Sequence, residues 1–68
     1  MRLRELRKKK RLSQLRLATE LHTTQNTISR YETGEPEPGI DELIKIADNL
    51  NVSVDYLLGR TENPKINR

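Results

Sequence analysis

The stretch Ser13 to Glu32, SQLRLATELHTTQNTISRYE, decides how this chain folds. Ser13 and Thr24 are hydroxyl residues placed eleven apart, each able to accept a hydrogen bond from an amide that the first turn of a helix leaves without a partner. The spacing predicts a helix over Gln14 to Leu21, an interruption at His22 and Thr23, and a second helix over Gln25 to Glu32. Leu17, Ala18 and Leu21 share one side of the first; Ile28 and Tyr31 turn inward from the second. Two helices joined by so few residues must cross at a large angle. That packing sends Gln25, Asn26, Ser29 and Arg30 to the outside.

Working outward, Leu3 and Leu6 give a helix over about Arg2 to Lys10 one apolar stripe, and Leu12 approaches the core as the chain turns. Thr33-Gly34 ends the Gln25 helix, with Gly34 suited to a left-handed residue. Pro36 and Pro38 hold the next segment extended and delay the following helix to Gly39 or later. Ile40, Leu43, Ile46, Ala47 and Leu50 then form an amphipathic stripe ending near Asn49 or Asn51, with Asp41 and Glu42 in the first turn, where orphan amides favour negative charge. Val52 packs a corner, and Ser53 caps a last short helix whose apolar surface is Tyr56, Leu57 and Leu58, ended by Gly59. The reading is all-α: five short helices in one domain over residues 1–59, followed by residues 60–68 as a flexible tail or the start of a linker. The alternating run Asn51 to Asp55 is too short, and too isolated, to make a sheet.

Sixty-eight residues allow one small core, and two tyrosines with no phenylalanine or tryptophan make that core aliphatic. The absence of cysteine removes disulfides, thiolate catalysis and thiolate metal sites together. No apolar run reaches membrane-spanning length or follows the basic N-terminus as a signal peptide would, which fits a cytoplasmic protein with no membrane partner. Charge is divided unevenly. Residues 1–30 hold nine Lys or Arg against Glu5 and Glu20, a balance of +7, whereas residues 31–68 hold four against eight acidic side chains, a balance of −4. A basic half favours a polyanion, because neutralised phosphates release condensed counterions; the plainer alternative is a solvated helix end, where cations complement the macrodipole.

The outward face of the Gln25 helix matches edge patterns of the major groove. Gln or Asn can bridge adenine N6 and N7, and Arg can bridge guanine O6 and N7. Gln25, Asn26, Ser29 and Arg30 are therefore candidate base contacts. Gln14, Thr24, Lys10 and Arg11 are candidate phosphate contacts, the first two at helix starts whose amides also face an anion. Taken singly, each has a plainer reading as a cap, a solvated first-turn residue or a surface ion pair of little energy.

As an ordered set, Leu12-Ser13-Gln14, Leu17-Ala18, Thr23 to Glu32, Thr33-Gly34, Pro38, Leu43 to Asp48 and Val52 to Gly59 resemble the helix-turn-helix proteins similar to lambda repressor and Cro. The resemblance covers about residues 1–60. It implies a compact five-helix domain whose second and third helices form the helix-turn-helix, and homodimers that bind pseudo-palindromic operators in double-stranded DNA. It also implies Thr24 or Thr27 close to phosphate, and an ion pair between Arg7 and Glu32, for which complementary charge on neighbouring elements is an independent, weaker argument.

Three positions depart from that pattern. His22 stands where the family usually has glycine, so a left-handed histidine is expected; a lone histidine without partner ligands makes neither a metal site nor a cofactor site. Arg16 replaces an acidic residue that would complete a capping box with Ser13. Glu35-Pro36-Glu37 is acidic where the family is often basic, so this segment is expected to bend away from DNA or to contribute less affinity. The functional expectation is a sequence-specific transcriptional regulator, a repressor, with no enzymatic activity, because no carboxylate pair is tied to a nucleophile, metal cluster or glycine-rich phosphate loop. The alternative is an antitoxin or adaptor that holds a protein partner through the last two helices, using Leu15, Val54 or Leu58. RNA is disfavoured by the missing aromatic stacking platforms.

Overall fold

All five helices end in the same way. In the computed structural model, which describes residues 1–35 and 37–66, the helices are α1 (Leu3–Lys9), α2 (Gln14–Glu20), α3 (Gln25–Thr33), α4 (Ile40–Asn49) and α5 (Val54–Leu57). Each is followed by a residue of positive φ: Arg11 at 58°, His22 at 57°, Gly34 at 87°, Asn51 at 58° and Gly59 at 81°. The amide of that residue, and the next one, turn back onto carbonyls of the last turn. Thus Arg11 and Leu12 donate to Lys8 and Arg7, His22 and Thr23 to Thr19 and Ala18, and Asn51 and Val52 to Asp48 and Ala47. Gly34 with Glu35, and Gly59 with Arg60, repeat the pattern. These paired bonds satisfy carbonyls that a helix terminus otherwise orphans. Only two of the five positions are glycine, so Arg11, His22 and Asn51 hold a conformation that costs an L-residue with a side chain.

The helix starts follow the hydroxyl pattern. Arg16 N–H donates to Ser13 Oγ at 3.0 Å, Thr27 N–H to Thr24 Oγ1 at 3.2 Å and Tyr56 N–H to Ser53 Oγ at 3.0 Å. Gly39 opens α4 without a side-chain cap, and Asp41 and Glu42 occupy its first turn. Arg16 forms no capping box; its Nε instead meets Glu20 Oε2 one turn later at 3.0 Å.

Leu3 and Leu6 of α1, Leu17 and Ala18 of α2, Ile28 of α3, Ile46, Ala47 and Leu50 at the end of α4, Val52 and Leu57 form one core, with Leu12, Leu21, Tyr31, Leu43, Val54 and Tyr56 packed against it. Ile40, expected on the inward stripe of α4, is outside, and Leu58, which could have served the core or a partner, is outside as well. Ile40 is 68% exposed, because it shares a stripe of α4 with exposed Ile44, four residues on, rather than with Ile46 and Leu50. Leu58 is exposed because four-residue α5 turns Leu57 inward instead.

Residues 60–66 carry no regular element, yet they run against the body. Pro64 O accepts the Ser53 amide at 3.0 Å, and Arg2 joins the two ends of the chain. Its Nε donates to Tyr56 O at 2.9 Å, its Nη2 meets Glu62 Oε1 at 2.8 Å and its guanidinium lies 4.5 Å from the Tyr56 ring centre. The expectations placed on Pro36 and on the last two residues of the tail fall outside the described residues.

Candidate nucleic-acid interface

The packing of α2 against α3 brings one residue of α2 to the outer face of α3. Gln14, at the start of α2, shares a shallow open depression of about 320 Å³ with Gln25, Asn26 and Ser29. Gln25 and Ser29 are one turn apart, as are Asn26 and Arg30, so the four residues of α3 form a single polar face. Arg30, Lys10 and Arg11 are exposed outside the depression.

Thr24 caps the start of α3 through the Thr27 amide, and the two hydroxyl oxygens also share a hydrogen bond at 2.9 Å. Thr27 lines a different space from Gln25 and Ser29, a wide groove of about 680 Å³ bounded also by Tyr31, Glu42, Lys45 and Asp48. Three carboxylates, Glu20, Glu42 and Asp48, line that groove. Those carboxylates disfavour a polyanion deep in the groove, beyond Thr27 at its rim, whereas no carboxylate among the described residues lines the Gln14–Ser29 depression.

Glu32 supports this face from within. Its side chain has no exposed surface. Arg7 Nε donates to Oε2 at 2.6 Å and Arg7 Nη2 to Oε1 at 3.3 Å, while Arg7 Nη1 is fixed by Leu12 O at 2.7 Å. Gln14 Nε2 donates to the same Oε1 at 3.0 Å and Arg4 Nε at 3.2 Å. Burial pushes the Glu32 carboxyl up, but the hydrogen bonds from Arg7, Gln14 and Arg4 outweigh it and hold the group below the ordinary carboxylate range. The convergence of Arg4 and Gln14 on Glu32 escapes sequence reasoning, although Arg4 and Arg7, three apart on α1, do share a helix face. No buried side-chain polar atom among the described residues is left without a partner. Nor does any group of three or more His, Cys, Asp or Glu among them have the arrangement to hold a metal ion.

The profile of the helix-turn-helix family matches residues 3–57. Among curated proteins, the chain is 41% identical over 66 residues to the HTH-type transcriptional regulator ImmR of Bacillus subtilis, an alignment that covers 97% of this chain and 52% of that protein. It is 41% identical over 64 residues to the uncharacterized HTH-type transcriptional regulator YqaE of the same organism, covering 94% and 55%. It is 39% identical over 59 residues to the cryptic phage CTXphi transcriptional repressor RstR of Vibrio cholerae, covering 87% and 53%. The chain therefore spans about half the length of these relatives. No solved structure gives a significant match.

Proposed function

The chain belongs to the helix-turn-helix family, and from that premise we propose that it is a transcriptional regulator, specifically a repressor, that binds double-stranded DNA in a sequence-dependent way with α3 in the major groove. The observation that carries this reading is the polar depression in which Gln14 of α2 stands beside Gln25, Asn26 and Ser29 of α3. In it, amide groups able to read base edges lie next to an amide positioned for a phosphate, on the basic half of the chain.

In this reading Gln25, Asn26, Ser29 and Arg30 contact bases. Gln14, Thr24, Thr27, Lys10 and Arg11 contact phosphates, and Arg7 with Glu32 fixes α1 against α3. The names of ImmR and RstR, a transcriptional regulator and a transcriptional repressor, support regulation rather than the antitoxin or adaptor alternative. The task is binding without catalysis. No described helix is long and apolar enough to cross a membrane, and a DNA-bound regulator of this family would work in the cytoplasm.

A pseudo-palindromic operator would set two copies about 34 Å apart, one turn of the duplex. With a longest extent of 29 Å between Cα atoms, two copies so placed would meet if their long axes run along the duplex, and a homodimer on DNA is part of this proposal.

Selection of sites from random duplex DNA tests the proposal. A recovered motif with two related half-sites, bound more tightly than random duplex and RNA at one fixed salt concentration, is the expected result. Equal affinity for all three would overturn it.

A further inference from the structure

We infer that Arg4 and Gln14 form a clamp for one DNA phosphate, set in place by the buried carboxylate of Glu32; the inference rests on the DNA-binding reading above and adds to it a contact residue on α1.

The argument begins with charge. Arg7 is buried and all its donor nitrogens are engaged, with Nε and Nη2 on Glu32 and Nη1 on Leu12 O. Glu32 is thus already neutralised by one guanidinium. Arg4 is a second cation on the same carboxylate, and its side chain is 57% exposed. It uses Nε alone, donating to Oε1 at 3.2 Å, and neither of its terminal nitrogens has a partner among the described residues. A surplus positive charge is left at the surface with its hydrogen-bonding end free.

Gln14 is held on the same atom. Its Nε2 donates one hydrogen to Glu32 Oε1 at 3.0 Å, and its second N–H has no partner among the described residues. Two donors attached to one oxygen at these distances stand close enough for a single phosphate to accept from both. Guanidinium supplies charge and direction, and the amide supplies a second, neutral bond. Gln14 also borders the depression that holds Gln25, Asn26 and Ser29, so a phosphate on this clamp would lie beside the groove that α3 reads. Glu32 acts as a positioning residue: held ionised by Arg7, it fixes Arg4 and Gln14, whose rotamers would otherwise be lost on binding.

The test is duplex binding by the full chain across a salt series, with Arg4→Met, Gln14→Leu and the double variant. Because Arg4 is largely exposed, Arg4→Met keeps the denaturation midpoint nearly unchanged, and circular dichroism checks this. Its affinity for operator and for random duplex should fall alike, by roughly 5- to 10-fold near 0.1 M salt, and the slope of log K against log salt should shrink by about 0.9. Replacing the contacted phosphate by a neutral methylphosphonate should erase the difference between wild type and Arg4→Met. The double variant should lose less than the two single losses multiplied, since both donors serve one phosphate. If wild type binds duplex with a steep salt dependence and Arg4→Met binds with the same slope and affinity, the clamp is wrong while the DNA-binding reading stands. If wild type itself binds no duplex, that reading fails and takes the clamp with it.

Discussion

Arg7 Nε stands 2.6 Å from Glu32 Oε2, and the two side chains are 10% and 0% exposed. This pair joins α1 to the last turn of α3, so the helix proposed to enter the groove is oriented by a buried contact that also holds Gln14 beside its outer face. A buried ion pair is costly to half-remove, because the remaining charge keeps its desolvation and loses its partner.

Arg7→Met is therefore expected to destabilise the domain by roughly 3 kcal/mol, since Glu32 stays buried with only Arg4 and Gln14 to compensate. Arg4→Ala, which removes an exposed partner from the same carboxylate, should cost less than about 1 kcal/mol. Urea denaturation midpoints of the two variants measure the difference. Equal effects would mean that burial does not set the value of these contacts.

The same carboxylate makes stability depend on acid. Glu32 is held below its ordinary range in the fold by the donors that overcome its burial, so its contribution is complete at pH values above the unfolded carboxylate pKa of about 4.3 and is lost as pH falls through the lower folded value. Wild type should lose stability on acidification more steeply than Glu32→Gln, which carries no charge to titrate there. Thermal melts from neutral pH to about pH 3 provide the comparison; parallel curves would remove Glu32 from the acid response.

The left-handed residues predict gains. Arg11→Gly and His22→Gly should each stabilise by roughly 0.5 to 1 kcal/mol, because relief of the side-chain clash exceeds the added freedom of the unfolded chain. Asn51→Gly should gain less, asparagine being the better tolerated there. In the other direction, Gly34→Ala and Gly59→Ala should destabilise by about 1 kcal/mol, although a Cβ at either position would meet nothing within 4 Å. A loss on His22→Gly would reveal a contact made by the imidazole.

On DNA, Gln25→Ala and Arg30→Ala should narrow the gap between operator and random duplex by about 1 to 3 kcal/mol each and leave the salt slope near its wild-type value. Lys10→Gln and Arg11→Gln should do the reverse, weakening both duplexes and lowering the slope by about 0.9 each. Fluorescence anisotropy over a salt series separates the two patterns. Uniform losses from Gln25→Ala would argue against base reading by α3.

Helix starts are legible in this sequence because capping is local chemistry: Ser13, Thr24 and Ser53 each act on an amide three residues away. Helix ends are legible only in part. Glycine announces Gly34 and Gly59, and resemblance to known proteins marks His22, but nothing in the identity of Arg11 declares positive φ. Ile40 reads as a member of an apolar stripe, yet its exposure depends on which side of α4 finds a neighbour. The face formed by Gln25, Asn26 and Ser29 follows from helical spacing alone. Its junction with Gln14, and the meeting of Arg4 and Gln14 on Glu32, do not, because the partners are 28 and 18 residues away from Glu32 along the chain.

The repeated helix ending bears on how the molecule assembles. Each reversal of chain direction is written into about six consecutive residues, so the path is largely decided before distant segments meet, and little loop-closure entropy stands between the collapsed chain and the finished one. Such a topology favours refolding within microseconds to milliseconds, so a domain built this way regains its shape soon after transient unfolding.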